Sequence, residues 1–133
     1  MITLDYAASE ARSAQRIALD RQVRALRLRR AADSVSLDTT LGQIAALKRG
    51  LVTEHEETID ADDELRRAPC CIVSLRLQGW GEVPTTGFGA TPSEATAAAM
   101  HALAGMIDIR AEDALRMCAR WLAEMERLQR EAA

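Results

Sequence analysis

Aromatic side chains are nearly missing from this chain: two Trp, one Tyr and one Phe make up 3% of its 133 residues. A domain of this length buries roughly two thirds of its unfolded surface, so its core has to be assembled from Leu, Ala, Met, Val and Ile. Cysteine is limited to Cys70, Cys71 and Cys118, with no CxxC pair. That excludes a disulfide scaffold and a four-ligand zinc finger. No stretch approaches the 18 consecutive apolar residues of a bilayer span, and the first residues show no apolar export signal. With an odd and sparse set of cysteines, this points to a reducing cytoplasm. Lysine is reduced to Lys48, the other 16 basic residues being Arg. The Ala and Arg abundance suggests a GC-rich genome of bacterial or phage origin. A net charge of -3 excludes a strongly basic nucleic-acid binder.

Catalytic patterns are equally scarce. Only His55 and His101 are present, and His55-Glu56-Glu57-Thr58-Ile59 has Ile where a zincin helix needs its second His. There is no phosphate-cradling GxxxxGK[ST], no GxGxxG and no GxSxG elbow. The acidic residues 54–64 lack the order of a calcium loop. No catalytic constellation, metal site or cofactor is expected.

What is present is helix-forming sequence with unevenly spread charge. Residues 1–50 hold nine basic and five acidic groups, 51–65 seven acidic and no basic ones, and 66–133 eight of each. Residues 4–33 contain neither Gly nor Pro and read as one long helix. Leu19, Val23 and Leu26 share one stripe at 100° per residue, while Ile17 and Leu28 lie nearly opposite. Arg21, Arg24, Arg27, Arg29 and Arg30 encircle the same cylinder. A helix with two opposed apolar stripes suits a position between two layers, or one against a partner subunit.

After a break at residues 33–36, Asp38, Thr39 and Thr40 offer N-cap oxygens for a second helix carrying Leu41, Ile44 and Leu47. It is expected to run through Leu51 to about residue 58 and to end in an acidic loop. At Cys70 the apolar period changes from 3.6 to 2: Cys71, Val73, Leu75 and Leu77 alternate with Ile72, Ser74, Arg76 and Gln78, as in a strand with one wet face. Gly79-Trp80-Gly81 signals a turn, and Pro84 makes residues 82–88 an edge strand or a partly irregular one. Thr91-Pro92-Ser93-Glu94 then has an N-cap, Pro at the first helical position and Glu at the third. The helix it opens presents Ala95, Ala98, Ala99, Ala102, Leu103 and Met106 on one arc, an alanine face suited to lying across a sheet. Gly105 and Asp108 suggest a break before a last helix over 110–131, whose arc is Leu115, Cys118, Trp121, Leu122, Met125 and Leu128. Glu112/Arg116, Arg120/Glu124 and Glu126/Arg130 are i, i+4 pairs on its other side.

The junction Gly87-Phe88-Gly89-Ala90-Thr91-Pro92-Ser93-Glu94-Ala95 resembles the end of double-stranded-RNA-binding domains, where a Gly-x-Gly turn opens an alanine-rich helix. It is similar as well to the junction of the HicB antitoxin domain. The resemblance spans about 25 residues and implies a strand feeding a helix on a sheet. Pro92 and Ser93 stand where the RNA-binding version carries a basic pair, so no function follows from it.

The sequence therefore predicts a mostly helical α+β fold in one domain, 1–133. Residues 1–58 would form a helical part, 59–69 an acidic linker, and 70–133 a β-β-α-α part. A long N-terminal helix would precede a small antiparallel sheet over about 70–88, covered by C-terminal helices. The predicted function is that of a small non-enzymatic interaction protein, an adaptor, inhibitor or assembly factor. It would act as a homo-oligomer, with a dimer favoured, through Leu19, Val23, Leu26, Trp121, Leu122 and Met125. One alternative is phosphate binding by Arg21, Arg24, Arg27, Arg29 and Arg30. Another is nucleic-acid mimicry by Glu54, Glu56, Glu57, Asp60, Asp62, Asp63 and Glu64, and a third is a small-molecule pocket near Trp80, Glu82 and Phe88.

Overall fold

The computed structural model describes residues 4–60, 68–79 and 83–132. Its element order is α1 (Leu4–Asp33), α2 (Leu41–Leu47), β1 (Leu51–Ile59), β2 (Cys70–Leu77), β3 (Thr85–Gly89) and α3 (Pro92–Ala132). This is the α+β, mostly helical architecture expected, with a long helix at each end. The chain divides into two compact units. Residues 1–24 and 106–133 form one, and residues 25–105 the other.

α1 has the length its composition predicts. Asp5 lies in the first turn and Arg30 in the last, each favourable to the helix dipole. Its C-terminal end is closed by Ser34, whose backbone N–H donates to the Arg30 and Ala31 carbonyls at 3.2 Å and whose hydroxyl donates to Ala31 at 2.6 Å. Of the three candidate N-caps for α2, Thr40 takes the role. Its hydroxyl accepts from the Gln43 N–H at 3.2 Å, and the Gln43 side chain accepts from the Thr40 N–H at 2.8 Å.

Two expectations are corrected. The second helix stops at Leu47, and residues 51–59 are the first strand of the sheet. Gly50 adopts φ 77, a turn that reverses the helical direction, and the Gln78 N–H donates to its carbonyl at 2.9 Å. The sheet accordingly has three antiparallel strands in the order β1-β2-β3, with a register shift in β1 between Thr53 and His55. The C-terminal half holds a single helix of 41 residues. Gly105 costs such a helix about 1 kcal/mol relative to Ala, and no proline stands beyond Pro92 to enforce a break.

In the 25–105 unit, Cys71, Val73, Leu75 and Leu77 point into the core with Ala95, Ala99, Met100 and Leu103 of α3, all but fully buried. The alanine face of α3 lies against β3 so closely that β3 has no room for side chains there. A Cβ on Gly87 would sit 2.2 Å from the Ala99 nitrogen and 2.4 Å from the Ala95 oxygen, and one on Gly89 2.6 Å from the Ala95 nitrogen. The Thr85 hydroxyl fixes the same contact, lying 3.2 Å from the Ala99 carbonyl and 3.3 Å from that of Leu75. At the start of α3 the Glu94 N–H donates to Thr91 Oγ1 at 3.2 Å, and the Glu94 carboxylate reaches back to the Ala90 N–H at 2.9 Å. In the same unit Asp33, at the end of α1, lies 3.0 Å from His101 of α3.

The 1–24/106–133 unit is a helix pair. Asp5, Ala8 and Arg12 share a hollow with Leu122, Met125, Glu126 and Gln129, so the start of α1 runs beside the end of α3 and the two segments are antiparallel. Its buried side chains are Ala11, Ala18, Ile107, Ala111 and Cys118. The seven-residue spacing of Ala11 with Ala18, and of Ala111 with Cys118, is the repeat of a coiled-coil seam. Here the seam is made of small residues.

Candidate interaction surfaces

Size is distributed in this helix pair opposite to the usual arrangement. Apart from Ile107, the buried side chains are alanines and a cysteine, while Ile17, Leu19, Val23, Met117 and Trp121 are each about half exposed, and Tyr6 and Ile109 more so. Leu122 and Met125, expected to face a partner, are half-buried and line the hollow against α1. On α3 the stripe left outside is therefore Met117, Trp121 and Leu128, spaced as i, i+4 and i+11. On α1, Leu19, Val23 and Leu26 form an outward stripe, as the sequence predicts.

The arginines of α1 are less uniform than their spacing suggests. Arg21 and Arg29 are half-buried and engaged in interactions of their own, whereas Arg24, Arg27 and Arg30 are exposed. At 100° per residue, Arg27 and Arg30 fall beside Leu19, Val23 and Leu26, as do the exposed Arg12 and Arg16. Arg12 and Arg16 thus flank Leu19 and Val23 in one unit, and Arg27 and Arg30 flank Leu26 in the other. Sequence reasoning weighed only residues 21–30 and missed Arg12 and Arg16, although the three-and-four spacing 12, 16, 19, 23, 26, 30 was there to be counted.

The acidic segment is divided. Glu54, Glu56 and Glu57 lie on β1, Asp60 follows it, and Asp62, Asp63 and Glu64 lie outside the described residues. Each strand carboxylate has a local cation or imidazole: Glu54 bonds Arg76, Glu56 lies 3.9 Å from Lys48, and Glu57 3.1 Å from His55. These neighbours offset a phosphate-like field on β1.

The outer sheet face carries Ile72, Ser74 and Arg76 of β2 with Thr86 and Phe88 of β3, and His55 and Glu57 of β1, by the strand register. His55 stands opposite Ser74, with Glu57 on its ring nitrogen. A Glu–His–Ser row of this kind could activate a hydroxyl, but Ser74 Oγ lies 2.8 Å from Thr86 Oγ1 instead. Phe88 is exposed, while Trp80 and Glu82 of the expected pocket lie outside the described residues. Cys70 is half-buried on the outer face, and Cys71 and Cys118 are buried thiols. Among the described residues no three His, Cys, Asp or Glu side chains are placed to hold a metal ion, and no helix is long and apolar enough to cross a membrane.

At the end of α3, Arg127 bridges Glu124 and Glu131. Its Nε donates to Glu124 at 3.0 Å, and this hydrogen bond holds the Glu124 carboxyl below the usual carboxylate range and raises the Arg127 guanidinium. Glu124 thus pairs with Arg127 and not with the expected Arg120, whereas Arg116 and Glu112 pair as expected at 3.6 Å.

The chain matches no known protein family, no curated protein and no solved structure.

Proposed function

We propose that this is a small non-enzymatic interaction protein that works as a homo-oligomer and presents its long helices to its partners. One observation carries the reading. The helix pair fills its seam mostly with small residues, Ile107 excepted, and leaves Trp121, Val23 and Leu19 each about half exposed. Exposed large apolar side chains on long helices are the usual material of a contact site. An adaptor, inhibitor or assembly role in the cytoplasm fits such a molecule. The test is sedimentation of the full chain against the variants Val23→Asp and Trp121→Asp. The wild-type protein is expected to associate, and the variants to remain helical by circular dichroism while associating less. A wild-type protein that is monomeric up to high micromolar concentration would overturn the oligomer.

A second reading rests on the exposed arginines of α1, Arg12 and Arg16 in one unit and Arg27 and Arg30 in the other. Such arginines can track a phosphate backbone, with affinity falling steeply as salt rises. Leu19, Val23 and Leu26 beside them favour an acidic protein helix. Retention of a nucleic-acid duplex at low salt, lost on changing these arginines to Gln, would move the phosphate reading to first place.

A further inference from the structure

We draw no further inference here: the strongest candidate, the exposed apolar face of α3 formed by Met117, Trp121 and Leu128 in the 1–24/106–133 unit, carries nothing beyond the reading above, because Glu124 and Glu131 beside it are bridged by Arg127 of the same helix and nothing in the structure shows what covers it.

Discussion

The contact between β3 and α3 can be probed by one chemical change made in two places. At Gly87 an added methyl would lie 2.2 Å from the Ala99 nitrogen, 2.4 Å from the Ala95 oxygen and 2.8 Å from the Ala98 carbonyl carbon. Non-bonded carbon neighbours settle at about 3.5–4.0 Å, so the strand and helix would have to separate by more than 1 Å. All three obstacles are backbone atoms of α3, which no rotamer change can clear. β3 is held on its other side by pairing Gly87 with Val73 of β2, and Thr85 ties it to Ala99. Overpacking typically costs about 1–3 kcal/mol, and Gly87→Ala is expected at the top of that range or above it. Gly105, inside α3, has nothing within 4 Å of the corresponding Cβ position. There the same substitution should stabilise by up to about 1 kcal/mol through helix propensity alone. Urea unfolding followed by circular dichroism, with the slope checked for a change in cooperativity, measures both. A Gly87→Ala variant within about 0.5 kcal/mol of wild type, or a destabilised Gly105→Ala, would refute this account of the packing.

Further outcomes follow from other parts of the structure. Thr40→Ala removes one half of the reciprocal cap on α2 and should cost about 1 kcal/mol, whereas Thr40→Ser should be nearly neutral in the same unfolding assay. Leu75 is completely buried in the central strand, so Leu75→Ala should cost about 2–5 kcal/mol, read as a drop in melting temperature. The hydrogen bond from Arg127 lowers the Glu124 carboxyl, so its contribution is present above the ordinary Glu range and lost as pH falls through the lowered value. In an NMR titration Arg127→Gln should move the Glu124 midpoint upward; an unchanged midpoint would show that the bridge does not hold in solution.

Much of this fold was legible in the sequence. The absence of Gly and Pro marked α1, the period-two pattern marked β2, and Thr91 to Glu94 marked the start of α3, while the extended stretch expected over 82–88 forms an edge strand only from Thr85, after Pro84. β1 was not legible because strand patterns show best when one face is buried. This strand is exposed along most of its length, so its residues do not alternate, and Leu51 follows Leu47 at the spacing of a helix. The β-branched Val52, Thr53, Thr58 and Ile59 were the available signal. The break expected at Gly105 and Asp108 rested on local propensity, which in a long helix is outweighed by packing on both sides of the position: Leu103, Ala104 and Ile107 are fully buried. The candidate surface was half legible. The exposed stripes are large apolar residues that any hydropathy reading ranks first, but such a reading assumes that the largest side chains form the core. The small residues repeating every seven positions, Ala11 and Ala18 on one helix and Ala111 and Cys118 on the other, form the seam that turns those stripes outward.

The carboxylates of β1 bear on how copies of this chain can accumulate. A bare sheet edge invites another strand to dock, and that addition can repeat without limit, which is how fibrils grow. β1 is such an edge, but Glu54, Glu56 and Glu57 crowd its centre, and an irregularity at Thr53 to His55 interrupts its ladder. A second β1 laid against it would have to crowd or displace the pairs that Glu54, Glu56 and Glu57 make with Arg76, Lys48 and His55. Growth by sheet extension is thereby discouraged at the first step. The border of the sheet most open to strand addition is thus guarded by side-chain charge and by an interrupted ladder.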